Sequence, residues 1–198
     1  MAHTVGIITL PGFNEIDSFV ATRMIHSVPE LSVELIGPDD TATSMAGVEV
    51  FTPGNWESLR TCSAAIFGSG MQTFDHIENA PMMDAIATNV ADVQFVGSQC
   101  SGAAFLHRLD LLDGQAVCTD RLTAPKLEAV GVEVRIDAFH DGGRVATSGG
   151  CLSSSYLAYW VIDRLAGRAA ADQALAYVVP IGEEADYQDR VDRLIAPS

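Results

Sequence analysis

Short apolar runs alternate with amphipathic segments along most of the chain, and this alternation restricts its fold more than any other feature. The runs 5–10 (VGIITL), 64–68 (AAIFG) and 93–97 (VQFVG) are almost continuously apolar, as strands buried on both faces of a sheet require. A segment with the apolar spacing of a helix follows each run. We therefore expect an α/β fold, with a mostly parallel central sheet and helices on both faces.

The rest of the chain continues the same alternation. The further predicted elements are strands at 32–36, 116–119, 132–136 and 144–147, a hairpin within 43–52, and helices at 14–24, 81–90, 101–108, 124–130, 153–165, 170–179 and 183–195. A turn at Asp141-Gly142-Gly143 is expected to join the last two of these strands. Sites in such sheets form at the carboxyl ends of the strands, which directs attention to residues 11–17, 68–71 and 98–102.

The charge of the chain excludes several classes of partner. There are 11 Lys and Arg residues against 26 Asp and Glu, a formal net charge of −15, and Lys126 is the single lysine. Binding a nucleic-acid backbone requires clustered basic side chains that release counterions. We therefore expect a small-molecule substrate as the partner, and neither a nucleic acid nor an anionic membrane.

Nothing in the sequence predicts a membrane span or a secretory leader. No run of about 18 apolar residues occurs, and no basic region precedes the apolar run at 5–10. Cys62, Cys100, Cys118 and Cys151 are widely spaced and form no Cys-x-x-Cys pair. This pattern favours reduced thiols in a cytoplasmic protein and argues against a metal site.

Residues 93–104 (VQFVGSQCSGAA) combine a strand, a sharp turn and the start of a helix around Cys100. Gly102 leaves room for the helix to pack closely against the strand. This is the pattern of a nucleophile elbow with cysteine in place of serine, and the amino end of a helix stabilises a thiolate. A buried structural cysteine is the alternative. Because that alternative needs neither the reversal nor the small residue, Cys100 is the predicted nucleophile.

Asp17 is the second candidate at the same edge of the sheet. Asn14 can begin the first helix, and Asp17 three residues later lies near the capping-box position. A carboxyl group that is partly buried beside a thiol can instead keep a proton and donate a hydrogen bond that stabilises the thiolate. The residues alone leave the capping role and the catalytic role open.

Four segments resemble the ThiJ/PfpI superfamily of flavodoxin-like proteins. They are VGIITLPGF-x-x-x-D at 5–17, AAIFGSG at 64–70, VGSQCSGAAFLHRLDLLDG at 96–114 and ATSGG at 146–150. The resemblance covers most of residues 4–167. It implies a flavodoxin-like, doubly wound sheet with a cysteine nucleophile elbow, in a single domain spanning 1–198, and it implies a homodimer.

Within the superfamily the chain is most similar to the isonitrile hydratases, which implies an activity and a set of roles. Cys100 would attack the isonitrile carbon, Asp17 would supply the proton and later help to activate water, and Ser101 would orient the substrate or the water. The amides of Ser101 and Gly70 would polarise the site. The product would be an N-substituted formamide, formed through a thioimidate, without a metal or an organic cofactor.

The sequence also leaves other functions open, and a departure from the superfamily weighs against several of them. Thr119-Asp120 stands where many members carry a histidine, so the Cys–His pair that protease or amidotransferase chemistry requires is lacking. A glyoxalase-like enzyme would also require that histidine, for which His76 is the one distant candidate. Another cysteine-dependent hydrolase of the superfamily is a further alternative. A ligand- or redox-sensing domain, like the amidotransferase-like domain of some AraC-type regulators, would use oxidation of Cys100 as its signal.

Overall fold

The computed structural model describes residues 3–195, in which strands and helices alternate as expected. The strands are β1 (His3–Ile8), β2 (Leu31–Ile36), β3 (Thr41–Thr43), β4 (Glu49–Phe51), β5 (Ala64–Phe67), β6 (Phe95–Gln99), β7 (Val117–Cys118), β8 (Val134–Arg135), β9 (Phe139–Asp141) and β10 (Val145–Ser148). The α-helices are α1 (Glu15–His26), α2 (Thr73–Ile77), α3 (Ala80–Val90), α4 (Ala103–Arg108), α5 (Ala124–Ala129), α6 (Ser154–Ala166), α7 (Arg168–Val178) and α8 (Glu184–Leu194).

The central sheet has the strand order β2-β1-β5-β6-β10-β9. All neighbouring pairs are parallel except β10 with β9, which is antiparallel. The chain runs from β1 to β2 on one side and returns to place β5 on the other side of β1. This reversal is the topological switch point at which sheets of this kind bind ligands.

Helices cover both faces of the sheet, as the sequence predicts. Successive residues of a strand face opposite sides, so that Val5 and Ile7 pack with α1, α6, α7 and α8 while Ala65 and Phe67 pack with α3 and α4. Trp160 of α6 is completely buried in the first of these layers. The predicted fold class, a mostly parallel sheet between two helical layers, is confirmed.

Two local predictions have opposite outcomes. The hairpin predicted within 43–52 is present as the antiparallel pair β3 and β4, although its first strand begins earlier, at Thr41. Strands are present within 132–136 and at 144–147 as predicted, but the expectation that the glycine turn joins these two strands is wrong: it joins β9 to β10, and β8 pairs with β7 outside the central sheet. Only Phe139 is apolar in β9, so no apolar alternation marks this edge strand.

No helix of the described residues is long and apolar enough to cross a membrane.

Candidate active site

Cys100 lies in a tight turn between β6 and α4, in a single 3₁₀ turn, Cys100–Gly102. Its φ of 47° is in the left-handed region that residues other than glycine seldom adopt. A Cβ atom on Gly102 would lie 2.1 Å from the carbonyl oxygen of Phe67, so that only glycine lets the turn pack against β5. The predicted elbow is confirmed in its geometry.

Thr119 and Asp120 support the elbow and the loop beside it. The Thr119 hydroxyl donates to the Cys100 carbonyl oxygen at 2.7 Å, from the position where many ThiJ/PfpI proteins carry a histidine. Asp120 accepts hydrogen bonds from the N–H groups of Leu122 and Thr123, at 2.8 and 3.0 Å, and so shapes the turn before α5. Both side chains therefore have structural partners at the site.

Asp17 reaches the elbow from α1 and is buried, with 1% of its surface exposed. One of its carboxylate oxygens accepts a short hydrogen bond from the Ser69 hydroxyl. The cap of α1 is Asn14, whose side-chain oxygen accepts from the N–H of Ile16 at 3.0 Å. Asp17 contributes no such bond to the start of its helix, so the structure does not support the capping alternative.

The carboxyl group of Asp17 forms a close group with the sulfurs of Cys100 and Cys151. One carboxylate oxygen and the two Sγ atoms all lie within 4.8 Å of one another. Burial raises the pKa of Asp17 from 3.8 to about 6, although hydrogen bonds from Ser69 and Cys151 oppose the rise. Burial also raises the pKa of the Cys100 thiol, and the neighbouring Asp17 carboxylate raises it further.

Asp17 and Cys100 therefore titrate as a pair, because a negative charge on one group disfavours a second charge on the other. At neutral pH this pair keeps one proton. No hydrogen bond joins the Asp17 carboxyl directly to the Cys100 sulfur; the donor to that sulfur is the side-chain amide of Gln99, at 3.5 Å. The thiolate form of Cys100 thus requires the pair's remaining proton to lie on Asp17.

Ser101 and Gly70 meet beside the nucleophile. The Gly70 N–H donates to the Ser101 hydroxyl oxygen at 3.3 Å, and the hydroxyl oxygens of Ser101 and Thr73 are 2.9 Å apart. The amide of Gly70 is therefore engaged by a side chain, and it can polarise a substrate only after a substrate atom displaces the Ser101 oxygen. The orienting roles of Ser101 and Gly70 stay predictions.

A cavity of about 360 Å³ opens onto Cys100, which is within the size range of small-molecule sites. Most of the surface of its wall is apolar, and Met45, Met71, Phe74 and Leu122 contribute to it. Asp120 and Lys126 add one charge of each sign, and the Lys126 ammonium lies 3.9 Å from the centre of the Phe74 ring. The cavity therefore combines an apolar wall with a balanced pair of charges.

Sequence reasoning does not identify Phe74 and Lys126 as site residues. Phe74 belongs to α2, which is five residues long and too short to show a helical pattern. The one available signal for Lys126 is that it is the single lysine of an acidic chain. His76 is not at the site, since its Nε2 contacts the Pro11 carbonyl oxygen at 3.0 Å. No histidine within residues 3–195 lines the cavity.

Comparison with known sequences gives one distant relative. No protein-family model matches the chain. The isonitrile hydratase of Pseudomonas putida is 23% identical over 168 residues, which cover 84% of this chain and 74% of that enzyme.

Comparison with solved structures is more extensive. A ThiJ/PfpI family protein from Pseudomonas syringae has a TM-score of 0.83 and 17% identity, covering 91% of this chain and 76% of that one. Drosophila melanogaster DJ-1beta has a TM-score of 0.78 and 14% identity, covering 90% of this chain and 98% of that one. The chain therefore has the flavodoxin-like fold of the ThiJ/PfpI and DJ-1 proteins, and the resemblance stated from its motifs is confirmed at the level of the fold.

Proposed function

We propose that this protein is a cysteine-dependent hydratase that converts isonitriles to N-substituted formamides without a cofactor. The observation that carries the proposal is the buried carboxyl of Asp17 beside the Cys100 thiol, at the end of an apolar cavity whose described lining contains no histidine. The distant similarity to an isonitrile hydratase supports the same assignment.

The chemistry of an isonitrile fits a site that has one nucleophile and one buried acid. The terminal carbon of R–N≡C is weakly electrophilic and becomes attackable when that same carbon accepts a proton. A carboxyl group with a pKa near 6 is suited to donate such a proton at neutral pH. Proteolysis would instead require an acid that protonates a leaving amine, which is the usual task of a histidine.

The proposed reaction has three balanced steps. The Cys100 sulfur bonds to the terminal carbon while Asp17 gives that carbon a proton, which forms the thioimidate R–N=CH–S–Cys100. Water then adds to this carbon as Asp17 accepts one of its protons and the substrate nitrogen gains another. The C–S bond then breaks as the carbonyl forms, Asp17 passes the proton that it took from water to the Cys100 sulfur, and R–NH–CHO is released. The net change is the addition of one water molecule.

The cavity wall indicates which isonitriles fit. Met45, Met71 and Leu122 are apolar and 44%, 67% and 82% exposed at the mouth, so that a hydrocarbon substituent on the nitrogen would cover them. Burial of such a substituent contributes roughly 0.8 kcal/mol per CH₂ group. We therefore propose neutral alkyl or aryl isonitriles as the substrate class, with the polar end of the molecule at Cys100.

The test is turnover of cyclohexyl isonitrile, followed by proton NMR through the formyl hydrogen of the product. Cys100→Ala should abolish product formation, and Asp17→Asn should lower kcat by about 10²-fold or more, as loss of a general acid does. Ser101→Ala should have a smaller effect because water can replace an orienting hydroxyl.

Cys62→Ala is the matched control and should keep wild-type turnover. Cys62 is also a buried thiol, but it precedes β5 and so lies at the amino ends of the strands, away from Cys100. Turnover by Cys100→Ala, or no formamide from the wild type with small alkyl and aryl isonitriles, would overturn the proposal. Full turnover by Asp17→Asn would remove Asp17 as the proton donor.

A further inference from the structure

A second thiol, Cys151, lies beside the nucleophile and has no task in the proposed reaction. β6 and β10 are neighbouring parallel strands in which Gln99 pairs with Ser148. Cys100 follows Gln99 directly, and Cys151 comes three residues after Ser148, so both cysteines emerge at the same edge of the sheet. Their Sγ atoms lie within 4.8 Å of each other, although 50 residues separate them in the chain.

The sulfur of Cys151 lies among the polar groups of the site. The Asn14 side-chain amide donates to the Cys151 sulfur at 3.2 Å. Burial and the Asp17 carboxylate raise the pKa of Cys151, while hydrogen bonds from Asn14 and from the Cys100 thiol lower it. The two sulfurs therefore lie within 4.8 Å of each other, in a cavity that both residues line and that a small oxidant can enter.

We propose that Cys151 is a resolving cysteine, which converts oxidised Cys100 into a reversible Cys100–Cys151 disulfide. With hydrogen peroxide as the oxidant, the Cys100 thiolate attacks one peroxide oxygen, the O–O bond breaks, and hydroxide leaves to give the sulfenic acid Cys100–SOH. The Cys151 sulfur then attacks the Cys100 sulfur and displaces water. In total, two thiols and one peroxide give one disulfide and two waters.

The local contacts determine which of the two sulfurs moves. An S–S bond is about 2.05 Å long, so the sulfurs must approach. Cys100 is held by its left-handed turn and by the Thr119 hydroxyl. The backbone before Cys151 is also held, because the Gln99 side-chain amide donates to the Gly150 carbonyl oxygen at 2.8 Å. The Cys151 side chain is only half-buried, so its sulfur can approach Cys100 by rotation of that side chain, which breaks the hydrogen bond from Asn14.

The consequence is protection of the nucleophile. A sulfenic acid without a partner thiol proceeds to sulfinic and sulfonic acids, which are irreversible in most proteins, whereas a disulfide is restored by thiols. Neither Cys62 nor Cys118 belongs to the group of ligating atoms around Asp17 and Cys100, and neither lines the cavity, so Cys151 is the thiol that is placed to serve. Peroxide would thus switch the site off reversibly, and a dithiol reductant would switch it on again.

The experiment treats the full chain with several molar equivalents of peroxide in the presence of a chelator, because a sulfinic acid consumes two peroxides and a sulfonic acid three. Free thiols are then blocked and the cysteines are mapped by mass spectrometry. The wild type should give a cross-linked pair of peptides containing Cys100 and Cys151, lost on treatment with dithiothreitol. Cys151→Ser should give no cross-link and should accumulate Cys100 with two or three added oxygens at least about tenfold faster than the wild type. Cys118→Ser is the matched control and should keep the cross-link.

The readout does not depend on isonitrile turnover, so that the disulfide and the proposed function can fail separately. Sulfinic acid on wild-type Cys100 with Cys151 still free would overturn the inference. A disulfide from Cys100 to another cysteine, or unoxidised Cys100, would overturn it as well.

Discussion

A carboxyl group that is buried next to a thiol makes the folded protein sensitive to pH at the scale of one residue. The pKa of Asp17 rises from 3.8 to about 6 because of burial. Between these values the folded state holds a proton that the unfolded state has released. The free energy of unfolding therefore falls as the pH rises from about 4 to about 6, and the loss persists at higher pH.

Asp17→Asn removes this titration, so the variant should gain stability relative to the wild type as the pH rises. A pKa rise of about 2 units corresponds to about 3 kcal/mol. The free energy of unfolding of the variant minus that of the wild type should increase by up to that amount between about pH 4 and about pH 7. Urea denaturation at both pH values measures this difference.

Glu15 of the same helix provides a control of opposite sign. Hydrogen bonds from its own backbone N–H and from the Ser44 hydroxyl lower the pKa of Glu15. This shift stabilises the folded state at pH values above the ordinary pKa of a glutamate, and the stabilisation is lost as the pH falls. Glu15→Gln should therefore lose stability relative to the wild type as the pH rises. A difference for Asp17→Asn that stays flat over this range would contradict the raised pKa.

Cys100 and Asp17 show which roles of site residues could and could not be predicted from the sequence. Cys100 could be predicted because the strand, the turn and Gly102 are contiguous in the chain. The choice between capping and catalysis for Asp17 could not be made, because it depends on Ser69, which is 52 positions away. The approach of Cys151 to Cys100 depends in the same way on the order of β6 and β10 in the sheet.

At the scale of the elements, the turn at Cys100–Gly102 requires a residue without a side chain at position 102. The Cβ of Gly102→Ala would meet backbone atoms of Phe67 and Gly68 at 2.1 to 3.0 Å, which cannot rotate away. We expect this variant to lose about 3 kcal/mol or more, and hence about 6–12 °C in Tm for a chain of this size. Thermal denaturation followed by circular dichroism measures the loss.

Gly68→Ala is the comparison, because its Cβ would first meet the Ser18 hydroxyl at 3.4 Å, an ordinary contact. Its Tm should fall by no more than about 4 °C. Equal losses for the two glycines would show that the close approach at Gly102 is not what limits the turn.

Elements with long apolar patterns could be predicted, and elements without them could not. β1, β5 and β6 are marked by nearly continuous apolar runs, and Pro81 marks the first turn of α3. β9 consists of Phe139, His140 and Asp141, in which one apolar residue forms no pattern. Its position at the edge of the sheet is determined by antiparallel pairing with β10, a long-range contact.

For the whole molecule, the net charge of −15 opposes the compact state through self-repulsion. Added salt screens this repulsion, since the Debye length falls from about 30 Å at 0.01 M to about 8 Å at 0.15 M. At neutral pH we expect Tm to rise by about 3 °C over this range, which corresponds to about 1 kcal/mol. Calorimetric scans at the two salt concentrations measure the shift.

The same pair of scans near pH 4.5 is the control. This pH is close to the isoelectric point of about 4.4, because part of the carboxylates and all the histidines are protonated there, so the net charge is small and the salt effect should nearly vanish. An equal salt effect at both pH values would indicate ion binding and not screening.

At the scale of the whole molecule the sequence predicts the layers of the fold, because alternating strands and helices allow few arrangements. The homodimer stays a prediction, since it derives from the resemblance alone.

Thr119 has a consequence for how this architecture can change its chemistry over evolution. Replacing it with histidine would add an imidazole base beside the thiol, yet would remove the hydroxyl that holds the Cys100 carbonyl oxygen at 2.7 Å. The backbone there has little freedom, because a Cβ on Gly149 would lie 2.4 Å from the Thr119 carbonyl oxygen. A histidine at this position would therefore remove the anchor of the turn at the same time as it supplied a base. A working Cys–His pair here would require a second substitution that holds the Cys100 carbonyl oxygen.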